Sequence, residues 1–283
     1  MDEKEFFNNY PARRAYSSKF ENGHLLFVSG SKGMAGSAIL NIIGACSVGT
    51  GYIRCLLSEE IYPIVAAEEI TAVYHVDDLK DPYFIDHLDL YSRVKAIAIG
   101  SGLNNNPHAR NYLVSILKNF NGPVVVDAYG LDLLSQDKSL YSLNSNLILT
   151  PHLGEFARMI HTSKEDIMKD REAVARYFAF TNKVTLVLKG PDTLVVSPDG
   201  EIYKNNSGNE ALARAGSGDV LTGMIAGLCS RYDDPFKATV DAVWLHGHIA
   251  DMYAQDHSRE IFDLKTYPEY ADRFFKEGTK NRV

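Results

Sequence analysis

The stretch Ala215-Gly216-Ser217-Gly218-Asp219-Val220-Leu221-Thr222-Gly223 decides how this chain is read. Its small residues let the backbone come close to a ligand. The apolar run from Val220 predicts a helix with Asp219 at or near its N-terminus. Free N–H groups and the positive end of a helix dipole favour a phosphate or another anion at such a place. A carboxylate beside that anion is positioned to act as a general base. Asp219 is also open to a plainer reading, as the N-cap of the helix. The rest of the chain has to decide between the two.

Working outward, short apolar runs at 25–28, 53–57, 94–99, 123–126, 147–149 and 184–188 predict strands. Helical patterns at 36–48, 59–69, 107–119 and 163–180 lie between most of them. Beyond Asp219 the chain reads as helical to about 256, broken near Asp233-Asp234-Pro235, with a last helix at 268–276. Near-continuous apolar strands alternating with helices predict an α/β fold, a parallel sheet covered on both faces. Segments 193–197 and 202–205 flank Ser197-Pro198-Asp199-Gly200, a turn that predicts a β-hairpin. Five of the strands end in Gly, Asp, Pro-His or Lys-Gly. In an open parallel sheet ligands sit outside the carboxyl ends of the strands. These polar residues are therefore expected along one edge of the sheet.

Composition narrows the classes. With 283 residues and no linker, repeat or charge block, the chain is read as a single domain, 1–283. A formal net charge of −7 leaves no basic footprint for nucleic acid. The start, Met1-Asp2-Glu3-Lys4-Glu5, is acidic and unlike a secretory signal. No run approaches the roughly 20 apolar residues of a membrane span. Cys46, Cys55 and Cys229 sit in apolar sequence without metal-site spacing, so they are expected to be buried, reduced thiols of a cytoplasmic protein.

Each strand end carries a candidate and an ordinary alternative. Gly30-Ser31-Lys32-Gly33-Met34-Ala35-Gly36 resembles a phosphate loop but lacks a closing Gly-Lys-Ser/Thr, and a close-packed strand-to-helix turn explains it equally. Gly100-Ser101-Gly102 permits close approach to a ligand or is a plain turn. Asp127 binds a ligand hydroxyl or hydrated metal, or caps the next turn. In Thr150-Pro151-His152-Leu153-Gly154-Glu155 the proline fixes the strand exit and presents His152 at the ligand edge, against the alternative of a surface histidine. Glu155 touches a metal through water or caps a helix. Lys189-Gly190-Pro191-Asp192-Thr193 suits a nucleotide phosphate, or is a solvated strand end. His246 and His248, two apart on a predicted helix, face different ways and are not a metal pair.

In this order the segments resemble the NAD(P)H-hydrate dehydratase family, from about Gly23 to Asp251. To those above the resemblance adds Ser37-Ala38, Leu103, Phe156, Val187-Leu188 and Gly208-Asn209. It implies a ribokinase-like, three-layer α/β/α fold with a mostly parallel central sheet and a small β-hairpin. It implies repair of the S epimer of hydrated NADH and NADPH. ADP or ATP phosphorylates the ring hydroxyl, and loss of phosphate restores NAD(P)H with release of AMP or ADP. By resemblance Asp219 takes the hydroxyl proton, and the backbone of Gly216, Ser217 and Gly218 steadies the transferred group. Lys189, Gly190, Pro191, Asp192, Thr193 and Gly218 match positions that hold the adenine nucleotide. Ala38, Gly102, His152 and Asp219 match those that hold the hydrate. Mg²⁺ would bridge phosphates largely through water, with no protein ligand assigned.

The family also implies a homotetramer, and the chain has the look of a stand-alone dehydratase without the epimerase domain. Three departures, Lys19 in place of a His-Lys-Gly stretch, Asn104 for Gly and Glu210 for Pro, are expected on loops near the site. A vitamin-precursor kinase of the same fold is the alternative, since its chemistry also begins with a base and a phosphoryl group. A regulatory protein that keeps the fold without catalysis is a second.

Overall fold

The computed structural model describes residues 1–280 apart from Leu88 and Leu90. Nine strands form one sheet: β1 (His24–Val28), β2 (Tyr52–Ser58), β3 (Ala72–Asp77), β4 (Ala96–Ile99), β5 (Val124–Val126), β6 (Leu147–Leu149), β7 (Thr185–Leu188), β8 (Leu194–Val196) and β9 (Ile202–Lys204). Their order across the sheet is β3-β2-β1-β4-β5-β6-β7-β8-β9. Strands β1 to β7 are parallel, and the hairpin β8–β9 adds to β7 antiparallel. The chain moves outward from β1 to β3, then returns to the other side of β1 at β4. That reversal is the kind of switch point at which the crevice outside the strand ends opens.

Alternation along each strand splits the core into two. Leu25 and Phe27 of β1, Ala96 and Ala98 of β4 and Val125 of β5 face one helical layer. It contains α1 (Glu3–Asn9), α2 (Ala35–Ser47), α3 (Tyr62–Glu68), α9 (Ser217–Cys229), α10 (Pro235–Asp256) and α11 (Tyr267–Lys280). Leu26, Val28, Ile97, Ile99, Val124 and Val126 face the other. That layer holds α4 (Ala109–Asn119), α5 (Tyr129–Ser135), α6 (Leu153–Met159), α7 (Lys164–Lys169) and α8 (Arg171–Asn182). The result is the expected three-layer α/β/α arrangement.

Several elements differ from the sequence reading. Helix α1 was not foreseen, although Asp2 and Glu5 form a capping box at its start. Strand β3 is a half-exposed edge strand with no clean apolar pattern. The helix read at 163–180 is two helices, because Asp170 leaves helical geometry and caps α8 through the Ala173 N–H. The helix read from Val220 starts earlier, at Ser217, with Gly216 as its N-cap. Two cysteines are buried as expected, but Cys46 is only partly so; all three are free thiols.

The contact that fixes the site is between α2 and α9. A Cβ on Gly44 would stand 2.1 Å from the Val220 carbonyl oxygen, and one on Gly223 would stand 2.1 Å from that of Asn41. The two backbones touch, and no side chain fits between them. Gly223→Ala must force the helices apart, and the expected loss is about 3 kcal/mol of stability, at the upper end of ordinary overpacking costs. Thermal and urea denaturation check this; a gain of about 1 kcal/mol, the helix-propensity benefit of a Gly-to-Ala change, or no change at all, would contradict the close approach.

Candidate active site

The loops that leave β1, β4, β5, β6 and β7 meet the first turn of α9. The 30–38 and 100–105 loops lock together: Ser31 Oγ donates to the Gly102 carbonyl at 2.6 Å, and the Asn105 N–H donates to Ser31 Oγ at 3.2 Å. Gly102 has φ +66°, and a Cβ there would run into Ser37. Ala38 is fully buried in the first turns of α2. Of the residues matched to the hydrate, Gly102 thus lies against Ser37, the residue before Ala38. Asn104 is exposed on the same loop.

Asp219 is not the N-cap. Gly216 holds that place with φ +92°, a conformation suited to glycine, and no side chain caps the helix. The Ser217 N–H turns back to the Arg214 carbonyl at 3.4 Å, and no side chain caps the N–H groups that follow it. Asp219 lies inside that turn, its carbonyl accepting from Asn41 Nδ2 of α2 at 2.8 Å. Burial pushes its carboxyl up to about 6, helped by the nearby Asp127 and opposed by the Ser37 hydroxyl, Lys189 and the Ser101 hydroxyl. A carboxylate tuned this way suits proton abstraction near neutral pH. Ser217, buried at the helix start, holds His246 of α10: its carbonyl oxygen is 3.1 Å from His246 Nε2.

Asp127 neither caps a turn nor offers a free oxygen to a hydrated cation. It is buried, and Lys189 Nζ donates to its Oδ1 at 2.9 Å, as does Thr150 Oγ1 at 2.8 Å. Thr222 Oγ1 donates to its Oδ2 at 3.0 Å, and Ser101 Oγ at 3.3 Å. Burial works against the charge, but Lys189 and these hydroxyls hold the carboxyl below its usual range. Lys189 is shifted the other way: burial opposes its charge, and Asp127, Glu155 and Asp219 together keep its pKa above the ordinary value. Lys189 is therefore not a solvated strand end. Its ammonium lies 3.2 Å from where a Cβ of Gly218 would stand, against the first turn of α9.

The rest of the 189–193 loop is a tight turn. Thr193 Oγ1 donates to the Gly190 carbonyl at 2.9 Å, Asp192 takes φ +53° and pairs with Lys204 at 3.1 Å. Arg171, at the start of α8, donates to the Leu188 carbonyl at 2.9 Å and the Pro191 carbonyl at 2.8 Å. The sequence reading missed Arg171 and Asn41 as parts of this region, and gave Ser37 and Thr222, which lie inside its motifs, no role of their own. No local pattern marks them, since their partners lie far away in the chain.

His152 is the N-cap of α6. Its Nδ1 accepts from the Gly154 N–H at 3.0 Å and the Glu155 N–H at 3.3 Å, while Glu155 Oε2 accepts from the His152 N–H at 2.8 Å. Accepting at Nδ1 fixes the neutral tautomer with its proton on Nε2. His152 Nε2 lies 3.6 Å from Glu155 Oε2, and Glu155 is a helix cap. His246 and His248 diverge as expected: one is buried against Tyr267, the other stacks on Trp244. Among the described residues no three His, Cys, Asp or Glu side chains converge as a metal cage. Lys19 is a correction: its ammonium lies 4.4 Å above the Tyr52 ring at the start of β2, the opposite end of the sheet. Glu210 pairs with Arg259 at 3.1 Å on an exposed turn.

The fold is ribokinase-like. A ribokinase-like superfamily protein from Enterococcus faecalis, 21% identical, superposes with a TM-score of 0.85 over 97% of this chain and 95% of its own. The sequence profile of the NAD(P)H-hydrate dehydratase family matches residues 25–268. The chain belongs to that family. It is 35% identical over 266 residues to the ADP-dependent (S)-NAD(P)H-hydrate dehydratase of Bacillus subtilis, covering 94% of each. It also resembles the crystal structure of the ADP/ATP-dependent NAD(P)H-hydrate dehydratase from B. subtilis co-crystallised with ATP and Mg²⁺. There the TM-score is 0.85 at 31% identity, with 98% of this chain and 97% of that one covered.

The cap predicts an order of stabilities. His152→Ala is expected to cost about 1 kcal/mol by releasing two N–H groups of α6, and His152→Asn, which keeps a capping acceptor, distinctly less. Thermal denaturation of both variants checks this; equal losses would mean that Nδ1 carries no cap.

Proposed function

We propose that this protein is an ADP- or ATP-dependent dehydratase that acts on the S epimer of hydrated NADH and NADPH. The observation that supports it best is a half-buried helix start without a side-chain cap, with Asp219 in its first turn and Lys189 beside it, in a chain of this family. Ala38, Gly102, His152 and Asp219 are our candidates for the hydrate. Lys189, Gly190, Pro191, Asp192, Thr193, Gly216, Ser217 and Gly218 are those for the nucleotide. Mg²⁺, when bound with the nucleotide, neutralises phosphate charge.

The steps balance as follows. The ionised Asp219 takes the proton of the ring hydroxyl as that oxygen attacks the terminal phosphorus. The bond from that phosphorus to the rest of the nucleotide breaks, and AMP or ADP leaves with the bonding pair. The ring C–O bond then breaks, phosphate departs with the bonding pair, and the neighbouring ring carbon gives up a proton to solvent to restore the double bond of NAD(P)H. Main-chain N–H groups at 216–218 and the Lys189 ammonium are aimed where charge gathers on the transferred group. We take the chain as one domain, 1–283, working in the cytoplasm as a homotetramer. Its free thiols are consistent with that compartment, and among the described residues no helix is long and apolar enough to cross a membrane.

Purified protein with Mg²⁺ and ADP or ATP should regenerate NADH absorbance from the authentic hydrate; folded protein that fails with both nucleotides refutes the reading. Asp219→Asn should lower turnover at least about 100-fold and leave nucleotide affinity nearly unchanged. Unchanged activity would mean that the base is another group.

The pH profile carries its own expectation. Only ionised Asp219 accepts a proton, and its carboxyl sits at about 6. Turnover should therefore be full above that value and fall as pH drops through it. A profile flat down to pH about 4, where an ordinary carboxylate titrates, would contradict the assignment.

A further inference from the structure

The Ser101 hydroxyl stands between two carboxylates. It donates to Asp127 Oδ2 at 3.3 Å and accepts from Asn41 Nδ2 at 3.4 Å, the same amide that donates to the Asp219 carbonyl at 2.8 Å, and it is near enough to the Asp219 carboxyl to help hold its pKa down. A serine has one O–H, so it donates to one carboxylate at a time. When Asp219 is ionised, that proton is best spent on Asp219, because Asp127 still has Lys189, Thr150 and Thr222 as donors. When Asp219 has taken a proton it becomes a donor itself. Ser101 then accepts from Asp219 and turns its own hydrogen to Asp127. The two carboxylates are coupled through a rotor that needs no movement of the backbone.

We propose that Asp127 and Ser101 are positioning residues of the reaction: Asp127 anchors the Lys189 ammonium against the first turn of α9, and Ser101 turns between Asp127 and Asp219 as the base gains and loses its proton. The proposal rests on the dehydratase reading only in naming Asp219 as the base. Its geometry is independent of which alcohol is bound. The charged and titratable groups around the pair are Lys189 from the end of β7, Glu155 from α6 and His246 from α10. His246, which burial holds near 4, is neutral across the working range. Replacing Asp127 by Asn removes the like charge near Asp219 and leaves Lys189 with fewer carboxylates to answer. Both changes favour ionised Asp219. Replacing Ser101 by Ala takes a donor from ionised Asp219, and a hydrogen bond to a charged oxygen is worth more than one to a neutral acid. That change favours the protonated form.

The test follows the Asp219 carboxyl by ¹³C NMR titration in full-length protein labelled at aspartate, with ADP affinity measured on the same samples. Asp127→Asn should move the Asp219 midpoint down by about one pH unit and weaken ADP binding several-fold, and Ser101→Ala should move the midpoint up. Opposite shifts support the proposal. A general loosening that admits water would lower the midpoint in both variants, and that result, or no shift in Asp127→Asn, overturns it. If Asp127→Asn fails to fold because Lys189 is left unpaired, Ser101→Ala decides alone: a rise supports, a fall or no change refutes. These readouts need no turnover. Wild-type protein that does not restore NADH but shows the opposite shifts would refute the dehydratase reading and keep the coupling.

Discussion

The ion pair between Asp127 and Lys189, 2.9 Å long and buried at the carboxyl edge of the sheet, is the interaction on which the site depends. One carboxylate receives donors from the ends of β4, β6 and β7 and from α9. Burying both charges is expensive, and such a pair is weak evidence for stability in itself. Its value here is geometric. It ties four separately positioned segments to one point and sets a fixed positive charge beside the helix start where a phosphoryl group would develop negative charge.

That point would not exist without the glycine contact behind it. Gly44 and Gly223 let α2 and α9 pack backbone to backbone, which brings Asn41 within reach of both the Asp219 carbonyl and the Ser101 hydroxyl. The glycines of the 215–223 stretch therefore serve two ends. Gly216 turns the chain into the helix and leaves its first turn without a side-chain cap. Gly223, two turns on, sets the depth at which the helix lies.

Much of this was legible in the sequence. The runs at 25–28 and 147–149 mark strands because parallel strands buried on both faces read as unbroken apolar stretches, and the loops after them carry Gly, Asp, Pro-His and Lys-Gly where a ligand edge requires them. The edge strand β3 was not legible, since half-exposed residues show no such run. Asp219 could be placed near a helix start but not inside its first turn, because the helix opens on Gly216 and Ser217, residues that equally suit a loop. Asp127 and Lys189 each looked like a lone polar group at a strand end. Their pairing joins positions 62 residues apart, and only the fold supplies it. Lys19 misled for the same reason: a family match by position says nothing about which end of the sheet the side chain reaches.

The chemistry follows from what this arrangement has and lacks. It has a carboxyl that burial pushes up to about 6, a fixed cation and a helix start without a side-chain cap. It lacks a cage of carboxylates for a metal among the described residues. Such a site transfers a phosphoryl group by placement and charge, and the further loss of phosphate distinguishes a dehydratase from a kinase of the same fold. Stoichiometry tests that claim most directly, with NADH absorbance and ³¹P NMR followed together in one reaction of hydrate, ADP and Mg²⁺. The account predicts one NADH and one inorganic phosphate for each ADP converted to AMP. Accumulation of a stable phosphorylated hydrate without return of NADH would contradict it.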